Sequence, residues 1–94
     1  MRFVIHAEDR ADSLELRKAT RPTHLAYMNQ FPILVGGPML DANGDPCGST
    51  IIMEAESLEA AQEFAANDPY AKAGLFERVN IREFVTVIWP VEAP

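Results

Sequence analysis

Two histidines, His6 and His24, are the side chains in this 94-residue chain best suited to exchanging protons near neutral pH. His24 belongs to the series Arg17, Arg21, His24 and Met28, spaced by four, three and four residues, which is one stripe of an α-helix. Such a stripe could bring two cations and an imidazole together. The blander arrangement, favoured because arginines on short helices usually stay in water, turns only His24 inward and leaves Arg17 and Arg21 solvated. His6 sits in a strand-like run, where a hydrogen-bonded structural role, a dimer contact or a pocket position are all open.

Asp68 is the carboxylate that calls for an explanation. It follows a helical stretch at the end where the macrodipole disfavours negative charge. One explanation is local: Asp68 caps a short following helix with Pro69 in its first position. The other is chemical: Asp68 faces His24. An aspartate bonded to one imidazole nitrogen fixes the tautomer and leaves the other nitrogen to take or give a proton. The sequence permits this pairing, and His24 and Asp68 are the candidate catalytic pair.

Arg21, Ser49, Tyr70, Tyr27 and Gly37 are candidate ligand-binding residues around that pair. Ser49 could donate a hydrogen bond, but it lacks the local elbow signature of a nucleophile. Tyr27 and Tyr70 could each supply an aromatic wall and a phenolic donor, although core packing is the commoner use of either. Gly36-Gly37-Pro38 permits close approach of another group. The two histidines have no His-x-x-x-His partner, and Cys47 is the only cysteine, so neither a metal site nor a disulfide is expected. Gly36-Gly37 is not a dinucleotide fingerprint, and the residue set suits cofactor-free acid-base chemistry.

The elements that must position these residues follow from periodicity. Residues 2–7 alternate, with Phe3, Ile5 and Ala7 on one face. Asp12 or Ser13 can cap a helix that either kinks at Pro22 or restarts there and runs to about Asn29. A second strand spans about 31–39, and Asn43-Gly44 in a turn-rich segment joins it to a third at about 48–55. Ser57 caps a helix over about 58–67, whose apolar stripe is Leu58, Ala61, Phe64 and Ala65. A short helical turn is expected within 71–76, and residues 81–89 read as the last strand. The order β-α-β-β-α-β predicts an α+β, ferredoxin-like fold with a four-stranded antiparallel sheet and both helices on one face. Phe84, Thr86 and Ile88 alternate with Val85, Val87 and Trp89, so both faces of that last strand are apolar. A second copy packed against the open sheet face would cover it, which predicts a homodimer.

Composition narrows the partners. With 48% apolar and 23% charged residues the chain is ordinary globular material, and its length suits one domain over 1–94, with a core at about 2–89 and a short tail at 90–94. A net charge of −6 repels phosphate backbones, so nucleic acid is an unexpected partner. No apolar run reaches the length of a membrane span and no signal-peptide pattern opens the chain, so a cytoplasmic protein without membrane association is expected.

Taken together, several short blocks resemble the YCII-related family across nearly the whole chain: Ala11-Asp12-Ser13-Leu14, Arg21-Pro22-Thr23-His24-Leu25, Gly37-Pro38, Gly48-Ser49-Thr50, Glu56-Ser57-Leu58-Glu59-Ala60-Ala61 and Asp68-Pro69-Tyr70. The resemblance implies a ferredoxin-like fold, a dimeric α+β barrel, and a His-Asp pair in a cleft at His24 and Asp68. It also implies kinship with enzymes acting on chlorinated hydroxyquinones, although the segment between Met39 and Gly48 is shorter than in some members. The functional expectation is a lyase, isomerase or dehydrohalogenase-like enzyme acting on a cyclic or aromatic-derived metabolite. The alternative is a non-catalytic dimeric module that binds a metabolite or a protein.

Overall fold

The computed structural model describes residues 1–89. The elements are β1 (Arg2–Asp9), α1 (Leu14–Met28), β2 (Ile33–Leu40), β3 (Pro46–Glu54), α2 (Leu58–Ala66), α3 (Pro69–Lys72) and β4 (Phe76–Glu83). The strands form one antiparallel sheet in the order β2-β3-β1-β4, and this is ferredoxin-like topology.

Period-two alternation sets the core. Phe3, Ile5 and Ala7 of β1 pair with Met53, Ile51 and Ser49 of β3, and all six are buried on the helix-bearing face. Phe64 and Ala65 of α2 close over Ile5, Ile51 and Met53. Tyr27, Phe31 and Phe64 form an aromatic cluster, with ring centroids 4.7 to 5.4 Å apart. The Ser57 hydroxyl accepts the Ala60 N–H at 3.1 Å and so caps α2; Ala61, Phe64 and Ala65 are buried, whereas Leu58 stays exposed.

Four expectations need correction. The sheet is open, not a closed barrel: β2 and β4 are its two edges and do not pair with one another. The last strand lies earlier than 81–89. Gly74, at φ 77°, ends the α3 segment in a left-handed turn, and β4 begins at Phe76. In β4, Val79 and Ile81 face the helices while Arg78, Asn80 and Arg82 face outward, an ordinary half-polar strand. The two-faced apolar segment 84–89 therefore lies outside the sheet, with Val85, Val87 and Ile88 largely exposed; the expected tail at 90–94 lies outside the described residues.

The third concerns Pro22: of the two alternatives the restart does not occur, and α1 runs through the proline as one helix. Pro22 and Lys18, whose carbonyl loses its helical partner, are both exposed, so water can satisfy the freed group. The fourth concerns the start of α1, where Ser13 is the N-cap residue, as one of the two expected, but its side chain makes no capping hydrogen bond. Asp12 adopts φ 56°, and the Ser13 hydroxyl donates to the Ala11 carbonyl at 3.2 Å.

Candidate active site

α1 packs against α3, and a cleft of about 680 Å³ opens between α1 and the β2–β3 half of the sheet. The stripe Arg17, Arg21, His24 and Met28 lines one wall. Gly36, Gly37, Ser49 and Ile51 line the sheet side, with Tyr70 of α3 between the two walls.

His24 Nδ1 and Asp68 Oδ1 are 2.8 Å apart, and both side chains are buried. The same oxygen accepts the Tyr70 backbone N–H at 2.9 Å. Both readings of Asp68 therefore hold at once: it caps α3 and it holds His24. An ionised carboxylate only accepts, so Nδ1 carries the shared proton and Nε2 is the nitrogen left for chemistry. His24 lines the cleft and Asp68 does not, so the imidazole stands between the carboxylate and the cavity. The Tyr70 ring stacks on His24 at 3.9 Å between centroids and 18° between planes, which fixes the ring against rotation.

Arg17 overturns the bland reading of the helix stripe. It is only 3% exposed, while Arg21 is exposed at the cleft wall. Arg17 donates to both oxygens of Asp9, from Nε at 2.6 Å and from Nη2 at 3.0 Å, and Nη2 also donates to Ser49 Oγ at 2.8 Å. Its Cζ lies 4.6 Å from the centre of the Tyr70 ring. Burial pulls the guanidinium pKa down, but the bonds and charge of Asp9 outweigh it and hold the group above its ordinary value, firmly cationic. Asp9 is the functional neighbour that reading 2–7 as the strand concealed. Carrying the Phe3, Ile5, Ala7 alternation one step further puts Asp9 on the inward face, where a buried carboxylate requires a cation.

The remaining candidates divide. Ser49, Gly37 and Tyr70 lie at the cleft together with Arg21 and His24. Tyr27 does not: its hydroxyl donates to the Phe64 carbonyl at 2.9 Å, and its ring belongs to the aromatic cluster. Burial raises the Tyr27 pKa, with the charges of Asp68 and Glu63 adding to it. His6 is exposed on the opposite sheet face, 3.9 Å from Glu8. Among the described residues no group of three or more His, Cys, Asp or Glu side chains is placed to hold a metal ion. No helix among them is long and apolar enough to cross a membrane.

An open ferredoxin-like sheet with a buried His-Asp pair beside a cleft describes a small single-sheet α+β protein with the furnishings of an acid-base site. The chain belongs to the YCII-related domain family, whose model matches residues 1–85. It is 47% identical to Protein YciI of Escherichia coli O6:H1, covering 93% of this chain and 99% of that one. It is 33% identical to the derivative of benzaldehyde biosynthesis cluster protein C of Emericella nidulans, covering 85% and 90%. Among solved structures it resembles the 5-chloro-2-hydroxyhydroquinone dehydrochlorinase TftG of Burkholderia phenoliruptrix AC1100, determined in complex with 2,5-dihydroxybenzoquinone. The TM-score is 0.86 at 40% identity, over 90% of this chain and 94% of that one.

Proposed function

We propose that this chain is a small-molecule enzyme that performs acid-base chemistry on an oxygenated ring, with His24 as the proton-transferring group and Asp68 as its orienting partner. One observation carries this reading: Asp68 occupies Nδ1 of His24, so Nε2 is the free imidazole nitrogen in a side chain that lines the cleft. Similarity to a dehydrochlorinase of a hydroxylated aromatic supports the substrate class.

In this mechanism Nε2 takes a proton from a ring hydroxyl or ring carbon of the bound molecule. The electron pair left behind either moves onto a ring carbonyl oxygen or expels a leaving group such as halide. The imidazolium, held in place by Asp68, then returns its proton to the product or to solvent. No external oxidant or reductant is needed. Ile51, Met28 and the Tyr70 ring offer apolar surface to a flat ligand, and Arg21 supplies positive charge at the wall.

The test is turnover on a panel of hydroxyquinones, halogenated hydroquinones and lactones. Conversion by the wild type and its loss in His24→Ala are expected. Binding of these rings without conversion by the wild type would point instead to a metabolite-binding module.

We further infer that a second copy covers the open sheet face. Val4, Ile52 and Val35 form an apolar band across three neighbouring strands there. Two open sheets facing one another would bury that band.

A further inference from the structure

β4 ends at Glu83, yet the chain continues as Phe84-Val85-Thr86-Val87-Ile88-Trp89, six uncharged residues of which four are β-branched. This is strand material outside any strand. The Phe84 N–H still donates to the Arg2 carbonyl at 2.9 Å, and beyond it the backbone of 85–89 makes no hydrogen bond to the rest of the described residues. What holds the segment is one side chain. Arg2 Nη1 donates to Thr86 Oγ1 at 2.7 Å, and Arg2 Cζ lies 4.8 Å from the centre of the Trp89 ring. Arg2 Nε is itself fixed on Glu54 at 2.9 Å. Val85, Val87 and Ile88 are left 72%, 82% and 86% exposed, an apolar run open to another surface.

The sheet meanwhile offers an edge of matching character. β2 and β4 are its two edges. β4 is blunted by Glu77, Arg78, Arg82 and Glu83. β2 carries no charge, exposes Leu34, Val35 and Leu40, and has Pro38 as its one blunting residue. Gly36 and Gly37, both exposed, leave its middle without side chains, so another backbone can approach closely. The chain's own segment cannot fill that edge. Neighbouring strands lie about 4.8 Å apart, so a strand beyond β2 stands about 19 Å from β4, and six extended residues reach about 20 Å, leaving none to lie along β2.

We propose that residues 84–89 are an exchange arm, which adds a fifth strand to the free β2 edge of a second copy of this chain while that copy's arm does the same in return. Arg2 sets where the arm leaves its own sheet. A two-fold pair satisfies both free segments and both free edges at once. Ile33, Gly36, Gly37 and Pro38 of β2 line the cleft, so each arm would border the candidate site of the other copy. The exchange does not depend on chemistry at His24, and it goes beyond the packing of sheet on sheet, which can occur with each arm folded on its own chain.

The experiment is isotope-filtered NOESY on the full chain, in an equilibrated mixture of equal parts 13C,15N-labelled and unlabelled copies. The expected result is contacts between copies that join the backbone of 84–89 to that of β2. Hydrogen exchange in Val87→Pro and Ile88→Pro accompanies it. Adjacent N–H groups of a strand point to opposite edges, so at least one of these prolines removes a bond to β2. Both changes lie outside the sheet and should leave the fold intact. In at least one variant the β2 amides that do not bond to β3 should exchange about tenfold faster than in the wild type. Contacts of the arm confined to its own copy, contacts with β4 of the other copy, or unchanged β2 exchange in both variants would each overturn the exchange while leaving sheet-on-sheet packing standing. A monomeric wild type would overturn both.

Discussion

One oxygen of Asp68 serves two neighbours at once, accepting from His24 Nδ1 at 2.8 Å and from the Tyr70 N–H at 2.9 Å. The start of α3 and the orientation of the imidazole thus depend on the same atom. Stability and the candidate chemistry are coupled there.

Asp68→Ala removes both bonds. It leaves His24 Nδ1 without a partner in a buried site and the α3 N-terminus without its cap, a loss of about 2–4 kcal/mol. Asp68→Asn retains an acceptor oxygen and should lose clearly less. Urea unfolding of the two variants beside the wild type measures the difference.

Asp9→Ala leaves the Arg17 charge buried and uncompensated. Breaking a buried pair of this kind costs about 3–5 kcal/mol, against a total stability of about 5–15 kcal/mol for a domain of ordinary size. Equilibrium unfolding should show a loss in that range. By contrast, Arg21→Ala, at an exposed position, should change stability by less than about 0.5 kcal/mol.

These two variants mark where the sequence was and was not legible. Alternation at Phe3, Ile5 and Ala7, the Ser57 cap and the Asn43-Gly44 turn are local signals, and they carried the element order. Arg17 was not legible in the same way, because its partners lie 8 and 32 residues away and are brought to it only by the fold. Arginine on a helix reads as solvated until a facing carboxylate is known. The β4 boundary was missed because Phe84–Trp89 is more apolar than the true strand, and β propensity rewards apolar character without knowing where the sheet ends. The His24–Asp68 pairing rested mainly on family resemblance, since nothing local connects residues 44 positions apart.

Tyr27 should give the chain an alkaline stability limb. Its folded-state pKa is raised above the ordinary 10.0 by burial, with the charges of Asp68 and Glu63 adding to it. Folding therefore favours the protonated phenol. That contribution is complete below pH 10 and is lost as pH rises through the folded-state value. Tyr27→Phe should lose the donor to the Phe64 carbonyl at neutral pH and show a shallower decline above pH 10. Thermal melts across that range test this.

Covering of the open sheet face by a second copy predicts a dimer in solution. Light scattering coupled to size-exclusion chromatography at micromolar concentration should return twice the 10.4 kDa chain mass. Ile52→Lys, which puts a charge in the middle of the apolar band, should shift it to the monomer. A monomeric wild type would remove the second copy as the cover.

The most direct test of the proposed acid-base role is the tautomer of His24, read from long-range 1H–15N correlation in the wild type at a pH where the ring is neutral. The expected result is a proton on Nδ1, held by Asp68, with Nε2 bare and open to the cleft. A neutral ring protonated on Nε2, with Nδ1 bare, would contradict it.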